Sequence, residues 1–249
     1  MLKVRIIPVL TFNGFGLVKT KKFSNPRMVG NPVQAARVYN SRGVDELVFL
    51  DIFASDHKRK INLKLVGEVI KECYMPVAIG GGIESIEDIN NLLKIGADKV
   101  VIKTKALTDM DFIKQAVSFF GSQCITISVD AYNENGTYKI YNKMDIDISM
   151  ETFIRNMEIC GVGEFILNSV DNDGMMEGFD INLVNKVMSC TNIPVIAVGG
   201  GNKMSHYNKL FSETTIEAVG SASIFHFTQH TPHDIKTELS KTGKHVRFN

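Results

Sequence analysis

Short apolar runs rich in β-branched residues recur along the whole chain, and between them the apolar residues fall at helical spacing. The runs cover residues 4–10, 46–51, 77–80, 99–103, 125–130, 164–168, 195–198 and 218–222. They do not alternate apolar with polar, as a strand with one wet face would. Near-continuous runs are expected of parallel strands covered on both faces. The intervening segments carry helix punctuation. Asn31 followed by Pro32 supplies an N-cap and a proline at the first helical position, and Gly43 ends that helix. Ser85 and Asp88 have the spacing of a capping box, and the helix they open stops at Gly96. Thr108 or Asp109 opens the next, which Gly121 closes. Further helices are expected near 63–73, 149–160, 182–190, 204–211 and 232–240.

Eight strand–helix units in 249 residues predict the α/β class and a (β/α)8 TIM barrel. A doubly wound sheet would explain neither eight similar units nor the internal repeat. The run 76–82 (PVAIGGG) returns at 194–201 (PVIAVGGG), with the glycine triplets 119 residues apart. Residues 47–50 match 165–168, and 6–11 match 125–130, at nearly the same offset. The reading is one barrel domain over 1–249, fused from half-barrels of about 1–120 and 121–249. Two insertions stand out. Residues 14–30 are long for a strand–helix loop and read as a mobile lid, while 132–147 contain a turn at 133–136 and read as a small hairpin.

Charge removes several classes of function. With 28 Lys+Arg against 27 Asp+Glu, and only the short basic runs 19–22 and 58–60, neither a nucleic-acid nor a membrane surface is indicated. No apolar run reaches the roughly 20 residues that span a bilayer. Nothing ahead of the first strand reads as a signal peptide. Cys73, Cys124, Cys160 and Cys190 lack metal-ligand spacing. The expectation is a reduced cytoplasmic protein with no metal and no cofactor.

Chemistry in such barrels gathers where the strands end. Those positions hold Thr11, Asp51, glycines 80–82, Lys103 and Thr104, Asp130, Asn168 and Ser169, glycines 199–201, and residues 221–223. Glycines after strands three and seven let backbone N–H groups approach an anion. Thr104 and Ser223 add hydroxyls at helix starts. Two phosphate sites related by the repeat follow, suited to a substrate with a phosphate at each end; tight turns alone would also use these glycines. Asp130, set between the two sites, could act as general acid or base, or only cap a helix. Asp51 is comparable. The polar loop 171–174 could close over a phosphate or simply turn. At the opposite strand ends, Arg5, Glu46, Lys99 and Glu164 could pair into a ring across the floor or reach solvent separately.

Several blocks together resemble the cyclase subunit of imidazole glycerol phosphate synthase over nearly the whole length. They are RIIP at 5–8, DELVFLD at 45–51, GGGI at 80–83, GADK at 96–99, GSQC at 121–124, DNDG at 171–174 and ASIFHF at 222–227. The resemblance implies a glutaminase subunit docked on the barrel floor and ammonia passing through the barrel to a phosphorylated small molecule at the mouth. It assigns an ammonia gate to Arg5, Glu46, Lys99 and Glu164, and partner docking to Asp98. The implied substrate and phosphate set is Lys19, Asp51, Gly81, Gly82, Lys103, Thr104, Asp173, Gly174, Gly200, Gly201, Ala222 and Ser223. The catalytic positions fall on Asp130 and Thr11. There the pattern departs, because the family has a second aspartate where this chain has Thr11, and a threonine hydroxyl cannot serve as a carboxylate. A family asparagine is Lys103 here, a threonine is Asn168, and the threonine after the second strand is Phe53.

The floor is kept while the mouth changes. This combination resembles a divergent branch associated with amidation of bacterial surface sugars, in which a sugar-modifying synthetase is a further partner and an acetamido group becomes acetamidino. The other expectations are a genuine cyclase of histidine biosynthesis and a non-catalytic ammonia conduit.

Overall fold

The computed structural model describes residues 3–144 and 146–248. Its strands are β1 (Arg5–Phe12), β2 (Leu17–Lys21), β3 (Ser24–Gly30), β4 (Leu47–Asp51), β5 (Val77–Gly80), β6 (Lys99–Ile102), β7 (Ile125–Glu134), β8 (Thr137–Ile140), β9 (Glu164–Ser169), β10 (Val195–Val198) and β11 (Ala218–Ser221). The helices are α1 (Pro32–Ser41), α2 (Leu63–Lys71), α3 (Ile86–Lys94), α4 (Thr104–Thr108), α5 (Met110–Phe120), α6 (Met150–Ile159), α7 (Ile181–Met188), α8 (Met204–Glu213), α9 (Ser223–Phe227) and α10 (Pro232–Lys241). Strands β1, β4, β5, β6, β7, β9, β10 and β11 pair in parallel in that order. The pairing of β11 with β1, Arg5 opposite Ala218 and Ile7 opposite Gly220, closes the barrel. The predicted (β/α)8 fold is the observed one.

The helix starts follow the local chemistry. Asn31 accepts hydrogen bonds from Val33 N at 2.9 Å and Gln34 N at 3.1 Å, and Ser85 with Asp88 forms a reciprocal capping box. Asp109, not Thr108, caps α5 through Phe112 N. Apolar side chains on the outer faces of the strands pack under the helices in the main core. Ile7, Val9, Val48, Ala78, Val101, Ile166, Ile196 and Ala218 form a second cluster inside the barrel. Period-two alternation along each strand separates these two populations.

Two differences from expectation concern the mouth. β1 runs on to Phe12, so Thr11 lies within the strand opposite Leu50 rather than beyond its end. Residues 14–30, expected as a mobile lid without regular structure, contain the antiparallel β2–β3 hairpin, joined to β1 where Phe12 faces Leu17. Backbone groups in a long insertion need partners, and a hairpin supplies them within the segment. The second insertion is a hairpin as expected, with β7 continuing past Asp130 and turning back as β8; residue 145 lies outside the described residues.

The last helix is fastened by charge. Lys236 on α10 is 2% exposed, and its ammonium meets Asp45 Oδ1 at 2.9 Å and the Gly43 carbonyl at 2.8 Å. Asp45 Oδ2 accepts from Ile6 N of β1 at 2.8 Å. Removing one member of such a buried pair strands the other, at a cost of about 3–5 kcal/mol. Lys236→Met is therefore expected to lower the urea midpoint strongly. Adding Asp45→Asn, which removes the stranded charge and keeps an acceptor for Ile6 N, should recover part of the loss.

Candidate functional site

The C-terminal ends of the barrel strands, with both hairpins, form the mouth. Asp130 is buried on β7 and its carboxylate is fully engaged. Lys103 Nζ reaches Oδ2 at 2.5 Å, while Asn168 Nδ2 at 2.5 Å and Ser128 Oγ at 3.1 Å both donate to Oδ1. The Lys103 ammonium also lies 5.3 Å from the ring centre of Tyr141 and 5.9 Å from that of Phe23, within cation–π range. Those two rings meet edge to face at 5.5 Å, so the β2–β3 hairpin and the segment after β8 join above the ion pair. Thr11 donates its hydroxyl to the Val18 carbonyl of its own hairpin. Lys103, expected in the phosphate set, pairs with Asp130. Its stem starts at the end of β6, next to β7, and a carboxylate is the strongest partner within reach.

Asp51 is likewise engaged, by a bidentate ion pair with Arg59 in which Nη2 meets Oδ1 at 2.8 Å. Arg59 is held above its ordinary range, chiefly by the hydrogen bonds to Asp51, although burial opposes it. Arg59 was not among the site residues read from the sequence. Its run 58–60 looked like solvated surface, and only the fold carries it back over Asp51.

The glycine loops after β5 and β10 take backbone shapes that favour glycine. Gly82 has φ +65°, and a Cβ there would stand 2.6 Å from the Arg59 carbonyl. Gly200 has φ +99°, and its Cβ would fall 1.9 Å from the Gly178 carbonyl. Gly199, Gly200 and Gly201 line a small recess with Lys19, Asp173, Gly174, Ser221, Ala222 and Ser223. Lys19 pairs with Asp173 at 3.0 Å, and Thr20 donates to the same carboxylate at 2.7 Å, which ties β2 to the loop after β9. Helix α9 begins at Ser223 without a side-chain cap, so its first N–H groups remain open to an anion. Thr104 opens α4 in the same way after β6, whose neighbour β5 ends at Gly80, where the first glycine loop begins.

At the other end of the barrel, Arg5, Glu46, Lys99 and Glu164 close into one ring. Arg5 meets Glu46 at 2.7 Å and Glu164 at 2.6 Å; Lys99 meets Glu46 at 3.0 Å and Glu164 at 2.8 Å. Each cation bridges both acids, and bonds between non-neighbouring strands must cross the interior. Burial works against the charge on Arg5, but Glu164 and Glu46 outweigh it and hold the guanidinium above its usual range. Asp98 lies exposed beside the ring and accepts from Val77 N at 2.8 Å. Among the described residues no group of three or more His, Cys, Asp or Glu is placed to hold a metal ion. No helix there is long and apolar enough to cross a membrane.

The family model for histidine biosynthesis proteins matches residues 5–231. The chain belongs to that family. A Vibrio vulnificus protein with the provisional name imidazole glycerol phosphate synthase subunit hisF2 is 41% identical over 252 residues, spanning 100% of this chain and 93% of its own. Imidazole glycerol phosphate synthase subunit HisF of Staphylococcus carnosus is 40% identical over 254 residues, covering 100% of both chains. The subunit of the same name in Streptococcus mutans is 38% identical over 251 residues, covering 99% of this chain and 100% of its own.

Anion binding at the Gly199–Gly201 recess has a direct readout. Inorganic phosphate at a hundred times its dissociation constant should stabilise the folded protein by about 2.7 kcal/mol, seen as a rise in Tm. Gly200→Ala should abolish that rise. Lys19→Gln, which leaves the glycine backbone untouched, should reduce it without abolishing it.

Proposed function

We propose that the chain is the synthase subunit of a glutamine amidotransferase, taking ammonia from a glutaminase on the barrel floor and presenting it to a phosphorylated acceptor at the mouth. The acceptor in this reading is a phosphorylated or nucleotide-linked sugar of surface-polysaccharide synthesis, in which acetamido becomes acetamidino with a sugar-modifying synthetase as further partner. Family membership supports the ammonia-dependent synthase. One observation carries the choice of acceptor: the Asp130 carboxylate is taken up by Lys103, Asn168 and Ser128, while the hydroxyl of Thr11 is given to a backbone carbonyl.

Cyclisation in this family is expected to need two carboxylates that can exchange protons with substrate. Here one is missing and the other must shed three donors before it can act. The floor is a different case, because all four members of the charged ring are present and paired. Tyr74 (92% exposed), Ile159 (74%) and Phe119 (66%) sit at or just beyond helix C-termini, on the same face as Asp98. They give a partner an apolar rim that periodicity could not distinguish from buried helix positions. The 41% relative and a Campylobacter jejuni protein that is 40% identical over 254 residues share the designation hisF2, which separates them from the subunits named HisF.

A second reading, the genuine cyclase, draws support from the glycine loops after both β5 and β10, which suit a substrate with two phosphates. One assay separates the two. The histidine-pathway bisphosphate, a formimino-carboxamide ribulotide, is supplied with excess ammonium salt, so that no glutaminase is needed. No turnover is expected from this chain. Turnover that disappears in Asp130→Asn would overturn the sugar reading and establish the cyclase. The floor assignment is checked separately by co-purification with a glutaminase, where Asp98→Lys should weaken the complex at least tenfold.

A further inference from the structure

The Lys103 ammonium stands in a corner built by other segments of the chain. Asp130 Oδ2 lies 2.5 Å away, and the ring centres of Tyr141 and Phe23 lie at 5.3 Å and 5.9 Å. Those two rings are perpendicular to each other, and the ring of Tyr132 meets Tyr141 edge to face at 6.4 Å, which extends the wall. Tyr141 is fixed relative to the carboxylate, because its backbone N–H donates to the Asp130 carbonyl at 2.7 Å. The carboxylate is held without the lysine, since Asn168 and Ser128 both donate to Oδ1. Oδ2 has Lys103 as its one side-chain partner among the described residues.

A carboxylate oxygen beside two aromatic faces is a receptor for a cation. Asp130, Tyr141 and Phe23 make the receptor, and Lys103 is its occupant. The lysine side chain is 30% exposed against 7% for Asp130, so the ammonium can withdraw to solvent while the rest stays in place. No new space has to be found for a ligand. Nζ, Cε and Cδ of the lysine fill as many heavy-atom positions as the N–C–N unit of an amidinium. A flat cation gains more here than a compact one, because it can lay its face on a ring while an N–H in its plane points to Oδ2. A neutral amide of the same shape brings no charge to the carboxylate, and its hydrogen bond there is the weaker one.

We propose that Asp130 Oδ2, Tyr141 and Phe23 form a subsite for a planar organic cation of the amidinium class, filled in this structure by Lys103. The choice of amidinium rests on the sugar-amidation reading above; the cation subsite does not. An acetamido group reaching the mouth is neutral and leaves Lys103 on Asp130. An acetamidino group is charged and competes with Lys103 for Oδ2. Asp130 then serves as a counter-ion to the product rather than as a proton carrier.

The test is calorimetric titration of the whole chain with acetamidine hydrochloride, with acetamide as the neutral isostere and methylammonium chloride as the compact cation, at equal ionic strength. Lys103→Met vacates the subsite and should bind acetamidinium at least tenfold more tightly than the wild type does. The same variant should bind acetamide and methylammonium at least tenfold more weakly than acetamidinium. Adding Asp130→Asn or Tyr141→Leu to Lys103→Met should remove the gain. Should Lys103→Met fail to fold, Lys103→Gln keeps a donor to Oδ2 without the charge and takes its place in each comparison. Equal affinity for acetamidinium in wild type and variant, or a variant that binds acetamide as well as acetamidinium, overturns the subsite. Equal binding of methylammonium overturns the amidinium class. The sugar reading stands or falls separately, on the bisphosphate assay of the preceding subsection.

Discussion

The pairing of β11 with β1 is the constraint on which everything else rests. Once the eight-stranded sheet is closed, a side chain on a barrel strand has only two directions, and the inward ones are stacked between a floor and a mouth. Arg5, Ile7, Val9 and Thr11 on β1 are a single sequence of alternate residues. They contribute in turn to the charged ring, the apolar interior twice, and the mouth. Function at one end therefore cannot be altered by shifting a strand, because a slip of one residue would exchange core for lumen along its whole length. Changes in function have to come from substitution at fixed positions.

The two ends of the barrel use charge differently. On the floor, two cations and two anions share every bond, so no member can leave without stranding a neighbour. At the mouth, a single lysine is set against a single aspartate under two aromatic rings, and the pair is reached by the tip of the β2–β3 hairpin and by the segment after β8. The first arrangement ties four groups into one network. In the second, the ion pair itself breaks with the movement of one flexible side chain, while Asn168 and Ser128 still hold the carboxylate.

Much of this was legible in the chain. Continuous apolar runs and caps such as Asn31 and Ser85 report local physics, and they marked the eight units and most of their limits. The half-length repeat grouped Gly81 and Gly82 with Thr104, and Gly200 and Gly201 with Ser223; the fold brings the second group to one recess. What stayed hidden was whatever depends on one loop folding over another strand. Arg59 lies eight residues from Asp51 and looked like a surface cation, and the pairing of Lys103 with Asp130 depends on β7 lying beside β6. Residues 14–30 read as a loop because Gly14, Gly16 and Pro26 mask the short strands between them.

Closure leaves one long edge exposed. The outer side of β3 pairs with nothing among the described residues, and nearly all of its side chains face solvent. Pro26 in that strand lacks an N–H, Asn25 has φ +52°, and the register with β2 is irregular there. A second molecule seeking to add its own strand would find the ladder broken at its centre. The hairpin can thus stand out from the barrel without becoming a template for aggregation, and replacing Pro26 by a β-branched residue would remove that protection while leaving the barrel itself unchanged.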